Sequence, residues 1–165
     1  MEGKAWVFGN DVNTDNISPT RYAGDAVIED MARHVFADVR PEFAPGFKPG
    51  DIVFGGYNFG CGSFREIAVR GFKGLKVGAI VCRSFARSFI RNAVNMGVWL
   101  IDIGDAEFEV ADGDILDADV HTGTVYNKRT GKSVQGKPFT GVAAGIAEAG
   151  GAPVYFKPMV KYPAK

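Results

Sequence analysis

The chain has 165 residues, 46% of them hydrophobic, with 19 lysines and arginines balanced by 19 aspartates and glutamates. That length suits one domain with a core of ordinary size, needing neither disulfides nor a structural metal, and a formal net charge of zero provides no field to recruit nucleic acid or anionic lipid. No apolar run approaches the roughly 20 residues that span a bilayer, and the N-terminal residues lack the basic segment, apolar run and cleavage site of a secretory signal, so the expectation is a cytoplasmic protein that engages neither nucleic acid nor membrane.

Along the chain, Lys4–Phe8 reads as a strand closed by the turn Gly9-Asn10-Asp11, and a polar loop over residues 13–19 follows. Ile28, Met31, Ala32, Val35 and Phe36 recur at helical spacing, with Asp25 a candidate N-cap. Pro41, Pro45 and Pro49 predict an irregular segment, and Lys48-Pro49-Gly50-Asp51 a turn that launches the strand Ile52–Phe54. A glycine-rich run leads from there into a helix expected from Arg65 to about Phe72. Val77–Cys82 is apolar without alternation, the pattern of a strand buried on both faces in a parallel sheet covered by helices. A helix is predicted over Ser84–Met96, with Phe85, Phe89, Ala93 and Met96 on one side and Gly97 as its stop, and Val98–Ile103 as the next strand. Beyond Asp105, the pairs Asp112-Gly113, Thr122-Gly123 and Thr130-Gly131 punctuate short segments as in an antiparallel layer. A last helix is expected over Val142–Ala149, ended by Gly150-Gly151. With no repeat, low-complexity tract or linker, the fold class is α/β in one domain over residues 1–165.

Chemistry concentrates in Asn58-Phe59-Gly60-Cys61-Gly62-Ser63-Phe64-Arg65-Glu66. Glycines there allow positive φ and close approach of a ligand, and a helix start presents unpaired N–H groups to an anion, which suits a carboxylate or phosphate. An alkoxide on Ser63 would be stabilised by such amides and a nearby guanidinium, making it a candidate general base, and Arg65 a candidate bidentate clamp on a substrate carboxylate. The bland alternative is an ordinary turn with Ser63 as a helix cap and Arg65 on the surface. The loop has no Gly-Lys-Ser/Thr of a phosphate-binding P-loop. Cys61 and Cys82 are the only cysteines, too few for a four-thiolate zinc site or for an iron–sulfur cluster, and His34 and His121 have no metal-binding spacing. Arg83, Arg87 and Arg91, at four-residue intervals, are expected on one helix making ion pairs and subunit contacts, with Arg91 the candidate for a bond to the serine loop.

Asn58–Glu66 resembles the Asn-Phe-Gly-Cys-Gly-Ser-Ser-Arg-Glu signature of the small subunits of isopropylmalate dehydratase and related enzymes of the aconitase superfamily. Asp11–Tyr22 is similar to the Asn-Ile-Asp-Thr-Asp-x-Ile-Ile-Pro-Ala-Arg-Tyr of that family, and Ser84–Gly97 to its Ser-Phe-Ala-Arg-x-Phe-x-Arg-Asn-Ala-x-Asn-x-Gly. The resemblance implies a swivelling β/β/α three-layer domain, like the aconitase C-terminal domain, that closes over a large partner subunit in a heterodimer or heterotetramer. It implies a four-iron four-sulfur cluster carried by that partner, with none bound by this chain, and a small hydroxy-di- or tricarboxylic acid as substrate. Ser63 would then take the proton from carbon and Arg65 would bind substrate, with Thr14, Asp15 and Ser18 nearby. The reaction implied is the interconversion of 2- and 3-isopropylmalate through isopropylmaleate, a step of leucine biosynthesis.

Two departures stand out: Phe64 replaces the second serine of the signature, and Ile67 replaces a His or Gln, removing polar groups from the site's border. In such enzymes the residues after Arg21-Tyr22 read the variable arm of the substrate. Ala23-Gly24-Asp25 contains no arginine to pair with an extra carboxylate, so an alkyl arm is expected, and Arg21, Ala23, Gly24 and Phe64 join the candidate substrate-binding residues. Smaller alkyl malates (dimethylmalate, citramalate) and homoaconitate are the alternatives within the class; a non-catalytic regulatory swivel module is the alternative outside it.

Overall fold

A computed structural model of the chain describes residues 1–22, 24 and 27–160. Seven strands, β1 (Glu2–Val7), β2 (Ile52–Gly55), β3 (Ala79–Cys82), β4 (Leu100–Asp102), β5 (Ile115–Ala118), β6 (Thr124–Asn127) and β7 (Lys132–Gln135), form one sheet in the order β4-β3-β2-β1-β5-β6-β7. β1 is the seam. On one edge it pairs parallel with β2, Ala5 opposite Ile52, and on the other antiparallel with β5, Lys4 opposite Ile115. The parallel half is therefore β1 to β4 and the antiparallel half β5 to β7.

The parallel strands are apolar on both faces because each face meets a different layer. Side chains alternate across a strand, so Trp6, Val53, Ile80, Cys82 and Leu100 enter one core, which contains the helices, while Ala5, Ile52, Phe54, Ala79, Val81 and Ile101 enter a second, shared with Leu116, Ala118, Val125 and Val134 of the antiparallel half. The antiparallel half curls over the parallel half, and the chain after β7 returns to the β4 edge, where Lys137 N donates to Asp102 O at 2.7 Å and Asp102 N to Lys137 O at 3.2 Å. These are the three layers β/β/α.

The helices are α1 (Thr14–Ile17), α2 (Ile28–Arg33), α3 (Phe43–Gly46), α4 (Ile67–Gly74), α5 (Arg87–Met96), α6 (Gly141–Glu148) and α7 (Ala152–Phe156). They cover the first core with an aromatic cluster in which Phe36 meets Phe8, Phe43 and Phe72, and Phe89 meets Phe59 and Phe72, at ring-centroid distances of 4.1–6.4 Å. Gly97 ends α5 at φ +72°, as its position predicts.

Several boundaries differ from the sequence expectation. α5 begins at Arg87 rather than Ser84, because Ser84–Ala86 is committed to pairing with Phe59: Phe59 N donates to Ser84 O at 3.0 Å and Ala86 N to Phe59 O at 2.9 Å. Arg83 thus lies before the helix, and its Nη1 donates to the carbonyls of Gly104 and Ala106 instead of pairing with a carboxylate. α4 starts at Ile67, two residues later than expected. The expected N-cap Asp25 lies outside the described residues, and α2 opens after Val27 without a side-chain cap. The polar loop contains a helical turn, α1, nucleated by Asn13, whose side chain accepts from Asp15 N at 2.8 Å.

Candidate active site

The serine loop leaves the carboxyl end of β2, the edge where open α/β sheets place their ligands. Its backbone is stitched on both sides. Toward the N-terminal loop, Gly60 N donates to Val12 O at 2.8 Å, Thr14 N to Cys61 O at 2.8 Å, and Asn58 Nδ2 to Asp11 Oδ1 at 2.8 Å. Toward the segment before α5, Asn58 N donates to Ser84 Oγ at 2.8 Å, beside the Phe59 pairing. The three motifs of the sequence thus meet in space. Gly60 (φ +77°) admits no side chain, since a Cβ there would lie 2.2 Å from Phe89 Cγ, and at Gly62 (φ +100°) it would lie 2.6 Å from Asn13 Oδ1.

Ser63 is held at both ends. Its N–H donates to Thr14 Oγ1 at 2.9 Å, and Thr14 is buried. Its Oγ accepts from Arg65 Nε at 3.0 Å and from the Arg65 amide at 3.3 Å. Because α4 begins only at Ile67, the positive environment of Ser63 comes from these two Arg65 groups rather than from a helix N-terminus as expected. Arg65 Nη2 lies 3.6 Å from Asp15 Oδ1, with both side chains more than half exposed, so this ion pair orients the guanidinium more than it stabilises the fold.

Thr14, Asp15, Ser18, Thr20, Ser63, Arg65, Ile67 and Ala68 line one cleft. Five of the sequence candidates, Ser63, Arg65, Thr14, Asp15 and Ser18, are therefore brought together, and Ile67 stands on the cleft wall in the place where the signature carries a polar group. Thr20 was not singled out from the sequence; it sits in the short turn two residues after Ser18, and its place in the Asp11–Tyr22 motif was the available signal. Arg21 is not in the cleft lining: its guanidinium is bidentate on Asp38 and stacks on Tyr22 at 4.5 Å, and Tyr22 in turn stacks on His34 at 3.7 Å. Gly24 is exposed, and a Cβ there would meet no heavy atom of the described residues within 4 Å; Ala23 lies outside the described residues. Phe64 lines not this cleft but a neighbouring groove, with Arg87, Ser88, Arg91 and Asn92. The bond between α5 and the serine loop is made not by Arg91 but by Asn92, whose Nδ2 donates to Phe64 O at 3.0 Å.

A roomier groove between α4, α5 and α7 is lined by Glu66, Arg70, Lys73 and Pro153, but its carboxylate and cation are engaged: Glu66 Oε1 lies 3.8 Å from Arg70 Nε, and Lys73 Nζ donates to Gly150 O at 2.7 Å. The cysteines do not fit a cluster. Two thiols are fewer than a cluster needs; burial pushes the Cys61 thiol up, with Asp11 adding to it, and pushes the Cys82 thiol up strongly, so neither is poised as a nucleophilic thiolate. Among the described residues no three His, Cys, Asp or Glu side chains are grouped to hold a metal ion, and no helix is long and apolar enough to cross a membrane.

The fold is a three-layer β/β/α domain that displays a serine and an arginine on a glycine loop at the end of a parallel strand. The comparisons name the family. Residues 13–105 match the aconitase C-terminal domain. The 3-isopropylmalate dehydratase small subunit of Methanosarcina mazei is 41% identical over 160 residues, 97% of this chain and 98% of that one. The isopropylmalate/citramalate isomerase small subunit of Methanocaldococcus jannaschii is 41% identical over 157 residues, 95% and 94% of the two chains. A crystal structure of 3-isopropylmalate dehydratase from the same organism superposes with a TM-score of 0.90 at 35% identity, covering 96% of this chain and 93% of that one. The chain belongs to the aconitase C-terminal domain family.

Proposed function

We propose that this chain is the small subunit of a hydro-lyase that interconverts 2- and 3-isopropylmalate through isopropylmaleate in leucine biosynthesis, that it acts as one swivelling unit, and that its site is completed by a large subunit. The observation that carries the reading is Ser63 Oγ, held by Arg65 Nε at 3.0 Å and the Arg65 amide at 3.3 Å on the wall of the cleft. Dehydration of a malate removes a proton from one carbon and the hydroxyl group from its neighbour. Ser63, as an alkoxide stabilised by those two donors, takes the proton to Oγ and returns it in the hydration step. Arg65 Nη1, together with Nη2 on exchange from its 3.6 Å pairing with Asp15, binds a substrate carboxylate, and Thr14 fixes the serine backbone. The family relationship supports an iron–sulfur cluster on the large subunit, to which the hydroxyl would be lost; no step on this chain passes through it. Two free thiols support a reducing, cytoplasmic setting.

Citramalate is a second substrate to weigh, because the Methanocaldococcus jannaschii relative is named for both acids at the same identity as the first relative. The test is anaerobic hydration and dehydration, followed at the ultraviolet absorbance of the unsaturated acid, with this chain and the cluster-loaded large subunit. Isopropylmaleate turnover that requires both chains is the expected result. Turnover of only a smaller alkyl maleate keeps the mechanism and changes the substrate, and no turnover of either with an intact cluster overturns the proposal. For the specificity loop, Gly24→Arg is the probe, since a Cβ there meets no heavy atom of the described residues beyond its chain neighbours within 4 Å. It should move the kcat/KM ratio toward tricarboxylic acids, and an unchanged ratio would remove the assignment of this loop.

A further inference from the structure

Most arginines of this chain already have a partner. Of the nine, six lie within ion-pair distance of carboxylates: Arg21, Arg33, Arg40, Arg65, Arg70 and Arg129. Arg83 is bound to two carbonyls. Arg87 and Arg91, one turn apart on the same side of α5, are exposed and have no carboxylate partner among the described residues. In the same groove as these two is Phe64, 83% exposed, more than any other large apolar side chain described. Its ring shares a groove with Arg87, Ser88, Arg91 and Asn92, and the Asn92 bond to its carbonyl ties the backbone beneath it to α5.

An exposed aromatic costs nothing to lose in the isolated chain and gains most when a second surface covers it; flanked by two uncompensated guanidinium groups, it has the composition of an interaction hot spot. Its position commits it further. Ser63 and Arg65, on either side of it in sequence, line the cleft while Phe64 lines the adjoining groove, so a body that closes over the cleft comes within reach of the exposed Phe64 ring. We propose that Phe64, Arg87 and Arg91 are the docking surface for the large subunit, and that the partner presents an apolar pocket for the ring, rimmed by carboxylates that pair with the two arginines. This rests on the reading that a large subunit completes the site. Charge complementarity of this kind steers encounter and fixes register, so association should weaken with salt.

The experiment compares the intact chain with the double variant Arg87→Glu/Arg91→Glu and with Phe64→Ala, measuring the Kd for the cluster-loaded large subunit by biolayer interferometry at low and high salt, together with turnover at saturating partner. Circular dichroism checks that each variant is folded. The expected result is a Kd at least about tenfold higher for each variant, and for the double variant a flattened salt dependence and a kcat within about twofold of the parent at saturation. A variant Kd within about twofold of the parent's, while the parent complex turns over normally, overturns the docking surface alone. An unchanged Kd with a raised KM in the double variant would make the arginines a substrate anion site and likewise overturn it. So would parent chains that self-associate through this face, seen by sedimentation as a dimer lost in the double variant. A parent mixture that neither associates nor turns over refutes the functional reading, and this surface with it.

Discussion

Replacing Thr14 by Val tests how the serine is held. Valine keeps the shape of the buried side chain and removes only the oxygen that accepts the Ser63 N–H at 2.9 Å. The lost hydrogen bond leaves that amide without a protein partner; because it is only part-buried, water recovers some of the loss, which places the cost near 1 kcal/mol, at the low end of the range for orphaned donors. For a chain of this length that is a drop in Tm of about 2–4 °C. The effect on turnover should be far larger. The Ser63 hydroxyl is placed by its own amide at one end and by Arg65 at the other, and a displacement near 1 Å at a reacting group costs about 100-fold in rate. Differential scanning fluorimetry of the isolated chain, alongside steady-state rates of the reconstituted complex, reads both quantities. A Thr14→Val chain with the expected small loss of stability and a kcat within about threefold of the parent would refute the claim that this bond positions the base.

Gly60→Ala should be severe. The added methyl would meet the Phe89 ring at 2.2 Å on a residue at φ +77°, so overpacking and left-handed strain together should cost about 2–4 kcal/mol; chemical denaturation that shows less than 1 kcal/mol would mean that α5 can move aside. Asp114 is predicted to be an acid-sensitive tie. It accepts from Arg129 Nε at 2.6 Å, Asn127 Nδ2 at 2.7 Å and Ala111 N at 2.8 Å, and chiefly the Arg129 bond lowers its pKa to about 2 from the usual 3.8. A depressed carboxylate contributes stability that is fully present above its unfolded value and is lost as pH falls through the folded one. Urea midpoints of the parent should therefore decline between pH 3.8 and about 2, and those of Asp114→Asn, lower at neutral pH, should decline less over that window. Parallel curves would contradict the assignment.

The layers were legible because hydrophobic patterning records them. Val77–Cys82 lacks alternation since Ile80 and Ala79 face two different cores, and Thr122-Gly123 and Thr130-Gly131 mark hairpins that the structure contains, whereas Asp112-Gly113 only leads into β5, which pairs with β1. What patterning cannot record is a contact made by backbone atoms at a single residue. The return of Lys137 to Asp102, which curls the sheet, is of that kind, as is the pairing of Phe59 with the Ser84–Ala86 segment that delays α5. The site divided in the same way. Ser63, Arg65, Thr14, Asp15 and Ser18 lie in one cleft because the resemblance carried whole motifs whose loops pack together. Arg21 and Phe64 came from the same motifs but lie outside that lining: the Arg21 guanidinium is taken by Asp38, seventeen residues on, and Phe64 lines the neighbouring groove beside α5. Partner choice among charged surface groups depends on tertiary distance, and neither spacing nor propensity encodes it.

The most direct test of the account is Ser63→Ala in the anaerobic complex with the cluster-loaded large subunit. A positioned base contributes about 100- to 10,000-fold. The account predicts a kcat lower by about that factor with an unchanged Kd for the partner and an intact cluster spectrum; isopropylmaleate hydration within about tenfold of the parent rate would contradict it.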